Sequence, residues 1–246
     1  MPFYQRGDAK IYYEVTGPDN GFPLLLLAPG GMQSTISFWD RAAWNPTETY
    51  VNDFRLVAMD QRNSGQSTGP LETDDPWGMF AADQLGLLHH LGIDRFLCMG
   101  CCIGCSYIFE LNKRAPGRMV AAALEQPIGI DPDGSNIELF RERIWRGWGD
   151  GLIEGRPDIT KEKLEAFGQK MWGGDFVLNV DEAFVKNMQT PGIVMPGGDQ
   201  AHPRAIGLRV AELMPNATLI DGWKEPENVP NSINVVRDFL KSHVPA

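Results

Sequence analysis

The sequence contains only four histidines in 246 residues. It also lacks the sequence features of secreted, membrane-spanning and repeat proteins. Its N-terminus shows no basic segment followed by an apolar run, so a signal peptide is not indicated. The longest apolar run, from Pro23 to Pro29, is too short to cross a bilayer. No internal repeat or low-complexity segment interrupts the chain. We therefore expect a cytoplasmic protein without a membrane-spanning segment.

Positive charge is also scarce, with 22 Lys and Arg against 32 Asp and Glu, which gives a net charge of -10. An acidic surface repels phosphate backbones and anionic lipids, so we expect neither nucleic acid nor membrane partners. The length and the 43% of hydrophobic residues fit one α/β domain with a substantial core. A small molecule is the expected partner, and the sequence does not define the oligomeric state.

Cysteine is absent except for one short stretch that holds Cys98, Cys101, Cys102 and Cys105. A disulfide framework would spread its cysteines along the chain. Four thiolates from a strand, a turn and a helix also do not converge easily on one tetrahedral zinc ion. We therefore expect no metal and no other cofactor, and we interpret Cys98, Cys101 and Cys105 as packing residues.

Strand-like apolar runs alternate with helical patterns over residues 1–125 and 190–246. This alternation predicts an α/β fold with a mainly parallel, doubly wound sheet and helices on both faces. Residues 126–189 carry helical patterns and many charges but no strand-like run, which favours a small helical cap subdomain. In parallel sheets ligands bind at the carboxyl ends of the strands, and the glycine-rich turns of this chain all follow strands.

The most informative segment is Gly100-Cys101-Cys102-Ile103-Gly104, between a predicted strand and a helix predicted over 106–114. It has the form of a nucleophile elbow with cysteine in place of serine. Small neighbours allow the strand and the helix to approach closely at such a turn. The Cys102 sulfur would project over the sheet edge, and the helix N-terminus would favour a thiolate there. The alternative is a buried cysteine without chemistry.

Four motifs in this order resemble the α/β-hydrolase fold superfamily, and the resemblance covers nearly the whole chain. Pro29–Met32 resembles its oxyanion loop, and Asp60–Ser67 resembles its D-x-R-G-x-G-x-S turn with Asn63 replacing a glycine. The elbow follows at the expected distance. Pro191–Asp199 resembles the strand that ends in the catalytic acid of the family.

The resemblance implies a role for each matching residue. Cys102 would be the nucleophile and Asp199 the acid that orients the base. The backbone N–H groups of Ile103 and of Gly31 or Met32 would form the oxyanion hole. Asp199 has an alternative role as the N-cap of the following helix.

In the family the catalytic base is a histidine in the loop after the last strand. This chain departs from that pattern. Here residues 220–227 contain no histidine, and Trp223 or Lys224 takes its place. Among the four histidines only His202 lies in a loop on the carboxyl edge of the sheet, so we name it as the candidate base. Its alternative is a surface or loop-capping histidine, and Lys224 or water would then protonate the leaving group. Glu125, at a strand end, is either a second acid or a solvated edge residue.

These residues predict a cofactor-independent hydrolase that cleaves an ester, thioester or lactone of a small apolar carbonyl compound through Cys102. A thiol needs less help from a base than a hydroxyl does, because part of it is ionised at neutral pH. Two alternatives follow from the missing histidine. One is a protein that binds a small ligand without turnover, and the other is a cofactor-free lyase or isomerase.

Overall fold

Eight strands form one sheet in the structure, a computed structural model that describes residues 2–245. The strands are β1 (Phe3–Arg6), β2 (Ala9–Thr16), β3 (Pro23–Leu27), β4 (Arg55–Met59), β5 (Phe96–Cys101), β6 (Met119–Glu125), β7 (Gly192–Met195) and β8 (Ala217–Leu219). The α-helices are α1 (Pro46–Thr49), α2 (Pro76–His90), α3 (Ile103–Arg114), α4 (Arg146–Gly155), α5 (Lys161–Trp172), α6 (Glu182–Asn187), α7 (Arg204–Leu213) and α8 (Val229–Ser242).

The strand order is β1-β2-β4-β3-β5-β6-β7-β8. Only the pairs β1–β2 and β2–β4 are antiparallel, and every other neighbouring pair is parallel. The central strands are apolar along their length, as expected for strands that helices cover on both sides. The predicted mainly parallel α/β sheet is confirmed. Its carboxyl edge gathers the ends of β3, β5, β6 and β7, where the predicted motifs lie.

The chain between β6 and β7 contains α4, α5, α6 and a π-helical turn at Leu139–Arg143. Two indole groups tie this helical segment to the rest of the protein. Trp77 Nε1 donates a hydrogen bond to the carbonyl of Met171 (3.1 Å), and Trp148 Nε1 donates to the carbonyl of Asn63 (2.8 Å). The helical segment therefore lies against the loops at the carboxyl edge of the sheet. Within residues 2–245, no helix is both long and apolar enough to cross a bilayer.

Candidate active site

The elbow is a sharp turn in which Cys102 alone separates β5 from α3. Cys102 has φ 60° and ψ -121°, a positive φ that side-chain-bearing residues rarely adopt. The Cys102 N–H donates to the carbonyl of Glu125 (2.9 Å), and the Cys105 N–H donates to the carbonyl of Cys102 (3.0 Å). These two hydrogen bonds hold the strained residue from both sides. Helix α3 begins directly at Ile103, three residues before the predicted start.

Both elbow glycines are required by close packing. A Cβ atom on Gly104 would lie 2.2 Å from the carbonyl oxygen of Leu27 in β3. A Cβ atom on Gly100 would lie 2.5 Å from the backbone of Gly104. The helix and the strands thus approach each other more closely than any side chain would allow, as the sequence pattern predicts.

The loop after β7 brings His202 and Asp199 together. The Nδ1 atom of His202 lies 2.8 and 2.9 Å from the two carboxylate oxygens of Asp199. Asp199 Oδ1 also accepts the backbone N–H groups of Ala201 (2.9 Å) and His202 (3.0 Å). Helix α7 begins at Arg204 with Pro203 as its N-cap, so the alternative of Asp199 as an N-cap is wrong. The carboxylate instead fixes the loop and the orientation of the imidazole.

The other imidazole nitrogen, Nε2, is buried and has no hydrogen-bond partner of regular geometry within residues 2–245. Burial alone would raise the pKa of the Cys102 thiol, but the neighbouring His202 and the amides of Ile103 and Gly30 bring this pKa below its usual value. Burial would lower the pKa of His202, whereas Cys102 and Asp199 raise it to about 9. Each of the two groups therefore favours the charged form of the other.

The glycine loop after β3 faces the same sulfur. Gly30 has φ 116°, and its carbonyl accepts the N–H of Gln33 (3.0 Å) at the start of a short 3-10 turn over Gly31–Gln33. The amides of Gly31 and Met32 are the first two of this turn, so neither has a partner within it. The side chain of Ile144, from the helical segment, lies 3.7 Å from the position of a Cβ atom on Gly31. Sequence reasoning missed Gly30, although the run Pro29-Gly30-Gly31 marks the loop.

The loop after β8 holds an indole at the position where the resemblance implies a histidine. Trp223 is 2% exposed, and its Nε1 donates to the carbonyl of Pro196 (2.8 Å). Its ring also packs edge-to-face on Trp44, with centroids 5.5 Å apart. Lys224 Nζ donates to the side-chain oxygen of Gln126 (2.7 Å). Trp223 therefore packs in the core, and Lys224 is engaged with another side chain.

Glu125 closes β6 as a carboxyl group without a partner. It is completely buried, and neither carboxyl oxygen has a hydrogen-bond partner within the described residues. Burial raises the pKa of Glu125 to about 8, against a smaller lowering by Cys101. The alternative of a solvated edge residue is wrong. Because an isolated buried carboxylate is costly, the group is protonated at neutral pH.

The remaining three cysteines are buried, and burial raises the pKa of each thiol. Cys105 Sγ donates to the carbonyls of Gly100 and Glu125, both at 3.2 Å. In the part of the chain that the structure describes, no group of three or more His, Cys, Asp or Glu side chains is placed to hold a metal ion. Cys102 is therefore chemically distinct from its three neighbours in sequence.

Cys102 lies among the buried residues of the core, and the residue as a whole is 8% exposed. A cleft of about 550 Å³ runs along residues 174–183 and does not include Cys102.

Residues 23–166, more than half of the chain, match the family model described as alpha/beta hydrolase fold. The chain therefore belongs to the alpha/beta hydrolase fold family. It is 30% identical over 157 residues, 63% of this chain and 44% of the relative, to a Leptolyngbya boryana protein provisionally named proline iminopeptidase. It is 26% identical over 144 residues, 57% of this chain and 52% of the relative, to the provisionally named carbamate hydrolase RutD of Klebsiella pneumoniae (strain 342). The matches thus span about half the length of these curated relatives.

Solved structures share the fold over almost the full chain. The α/β hydrolase MGS-M2, from a Medee basin deep-sea metagenome library, superposes with a TM-score of 0.70 at 16% identity, covering 100% of this chain and 98% of the other. The enol-lactonase of Burkholderia xenovorans LB400 superposes with a TM-score of 0.67 at 19% identity, covering 98% of this chain and 100% of the other. At these identities the likeness shows the common fold alone.

Proposed function

We propose that the protein is a cofactor-independent hydrolase in which Cys102 and His202 are the catalytic residues and Asp199 is a positioning residue. The observation that carries the proposal is the set of contacts around the elbow. The lowered pKa of Cys102 and the raised pKa of His202 describe a reactive thiolate, and the Asp199 carboxylate holds the imidazole by its Nδ1 atom. Thiolate, base and acid occur together in cysteine hydrolases.

In the proposed reaction, the Cys102 sulfur attacks the substrate carbonyl carbon and forms a tetrahedral intermediate. The oxygen, now negatively charged, accepts hydrogen bonds from the amides of Ile103 and of Gly31 or Met32. His202 gives its Nε2 proton to the leaving alcohol or thiol as the carbon–oxygen or carbon–sulfur bond breaks. The neutral imidazole then takes a proton from water, which attacks the acyl-cysteine. Breaking the acyl–sulfur bond releases the carboxylic acid and restores the thiolate and the imidazolium.

The proposed substrate class is supported by the side chains beside the oxyanion loop. Phe38 lies against Gly30 and Ile144 lies over Gly31, so apolar side chains surround the oxyanion loop. Such a lining favours a small acyl group without charge. The names of the similar proteins, an enol-lactonase, a proline iminopeptidase and a carbamate hydrolase, all denote cleavage at a carbonyl group. We therefore propose esters, thioesters or lactones of small apolar acids, with residues 126–189 acting as the cap.

The non-catalytic alternative was motivated by the missing histidine of the last loop. Against that alternative we propose His202 as the base, which is supported by the mutual effect of Cys102 and His202 on each other's pKa. Lyase or isomerase chemistry without an acyl intermediate has no separate observation in its favour. The acyl-cysteine therefore distinguishes the proposed mechanism from both alternatives.

The test is hydrolysis of a panel of p-nitrophenyl esters and small lactones by the purified protein. Intact mass spectrometry after rapid acid quench should show one acyl group on the wild type and none on Cys102→Ala. We expect Cys102→Ala to lose hydrolysis and His202→Asn to lose at least about 100-fold in kcat/KM. Full turnover by Cys102→Ala on a substrate that the native protein cleaves would contradict the nucleophile assignment. Cys98→Ala, in the strand below, is the matched control.

A further inference from the structure

Cys102 and Cys105 form a C-x-x-C pair at the N-terminus of α3, a spacing that the hydrolase chemistry does not use. In thiol–disulfide enzymes the first cysteine of such a pair is reactive and the second is buried. We propose that Cys102 and Cys105 form a reversible disulfide after a hydroperoxide oxidises Cys102. This redox site shares the reactive Cys102 and its proton donor His202 with the proposed function, but disulfide formation and ester hydrolysis are measured separately.

The backbone places the two cysteines at opposite ends of one turn. The hydrogen bond from the Cys105 N–H to the Cys102 carbonyl (3.0 Å) closes a four-residue turn. Such turns bring their end Cα atoms within about 7 Å. Disulfides span Cα separations of about 4.4–6.8 Å. We therefore expect the bond to form through side-chain rotation and an adjustment of the first turn of α3.

The two thiols are electronically complementary. Of the four cysteines, Cys102 alone has a pKa below its usual value. Burial raises the pKa of Cys105, and the nearby charge of Cys102 raises it further. Cys105 Sγ donates to the carbonyls of Gly100 and Glu125, which keeps this thiol protonated directly beneath the elbow. The pair thus has one attacking thiolate and one protonated thiol, which must lose its proton as it attacks the oxidised sulfur.

The chemistry requires a hydroperoxide as oxidant. The Cys102 thiolate attacks one peroxide oxygen, the oxygen–oxygen bond breaks, and the imidazolium of His202 supplies the proton that leaves with the alcohol or water. The product is a sulfenic acid on Cys102. Cys105 then attacks that sulfur, its proton and the hydroxyl group leave as water, and the disulfide forms. A dithiol reductant then reduces the disulfide, is itself oxidised, and restores both thiols. While oxidised, the protein has no nucleophile.

The other cysteines are worse placed as partners of Cys102. Cys101 is the last residue of β5, and its register partner is Glu125 in β6. The side-chain amide of Gln126 contacts the Cys101 sulfur at 3.8 Å. Cys98 lies further back, in the interior of the same strand. Substitutions of Cys101 and Cys98 are therefore matched controls for substitution of Cys105.

The test treats the full chain with one equivalent of hydrogen peroxide and measures intact mass, free thiols and capture of sulfenic acid by dimedone. We expect the wild type to lose two thiols without a dimedone adduct, and dithiothreitol to restore both thiols. Cys101→Ala and Cys98→Ala should behave as the wild type. Cys105→Ala and Cys105→Ser should lose one thiol and accumulate the dimedone adduct.

Two outcomes would overturn the proposal. One is an intramolecular disulfide in Cys105→Ala that forms as fast as in the wild type. The other is a wild type that gives only the dimedone adduct. The thiol count and the dimedone adduct are both measured without ester hydrolysis. If the disulfide does not form, the hydrolase proposal is therefore unaffected. If the Cys105 variants do not fold, Cys101→Ala and Cys98→Ala decide the question: loss of two thiols in both variants leaves Cys105 as the partner of Cys102, and loss of the disulfide in either one contradicts the proposal.

Discussion

The buried Glu125 carboxyl makes the stability of the protein depend on pH in an unusual direction. Its pKa is about 8 in the native state against a usual value of 4.5. Below pH 4.5 both the folded and the unfolded chain hold the proton. Between pH 4.5 and 8 the unfolded chain releases the proton and the native state keeps it. The contribution of Glu125 to the free energy of unfolding is therefore fully present below pH 4.5. It is lost as pH rises from 4.5 toward 8.

The size of the effect follows from the width of this window. Each pH unit within it lowers the free energy of unfolding by about 1.4 kcal/mol. From pH 5.5 to 8 we therefore expect a decline of roughly 3 kcal/mol that originates at Glu125. Glu125→Gln keeps the shape of the side chain and has no titration, so this decline should be missing from the variant. Other titrating groups, including His202, contribute equally to the free energy of unfolding of the wild type and of Glu125→Gln. Their contributions therefore cancel when the two proteins are compared at the same pH.

The assay is urea unfolding of the wild type and Glu125→Gln at half-unit intervals from pH 5.5 to 8. The advantage of the variant over the wild type should grow with pH by roughly 3 kcal/mol. Glu227→Gln is the control, because Glu227 is an exposed glutamate near the start of α8 and should show a constant difference. A difference between wild type and Glu125→Gln that stays constant over this range would refute the argument that the carboxyl is protonated and unpartnered.

Three further predictions concern the site. Gly104→Ala should destabilise the fold by about 2–4 kcal/mol in urea unfolding because its Cβ would meet the Leu27 carbonyl, whereas Gly151→Ala, which meets nothing within 4 Å, should be neutral or slightly stabilising. Asp199→Asn should lower kcat by about 10- to 100-fold and move the alkaline limb of kcat/KM to lower pH, since the carboxylate raises the pKa of His202. Ile144→Ala should raise kcat/KM for butyrate and hexanoate esters relative to acetate by about 10-fold, and an unchanged ratio would exclude Ile144 from the acyl site.

The elbow could be predicted because its causes are local. Gly100 and Gly104 are dictated by a close approach within the same turn, and that constraint is visible in a five-residue pattern. The central strands of the parallel sheet could be predicted for the same reason, since each carries its own apolar run, whereas β1 (Phe3–Arg6) carries no such run and was not predicted. The start of α3 was placed late, because the elbow passes directly into the helix without a separate capping residue.

The base and the buried acid depend on contacts that are distant in sequence. His202 lies 100 residues after Cys102, and its orientation is set by the hydrogen bonds that Asp199 makes within the β7 loop. Sequence reasoning could select His202 only by eliminating the other histidines. Glu125 at the end of a strand is compatible with either solvent or burial, and only the packing of the whole fold distinguishes the two. The Gly30 amide lowers the pKa of Cys102, and this effect likewise depends on how the loop after β3 meets the elbow.

The central claim is that His202 holds Cys102 as a thiolate, and the pH dependence of alkylation tests it most directly. The second-order rate of iodoacetamide labelling is measured by intact mass from pH 5 to 10 for the wild type and His202→Asn, with Cys102→Ala reporting labelling of the other three cysteines. We predict that the wild-type rate reaches its plateau at a pH below the usual thiol pKa, and that the midpoint moves upward in His202→Asn. Identical profiles with the midpoint of an ordinary thiol in both proteins would contradict the claim.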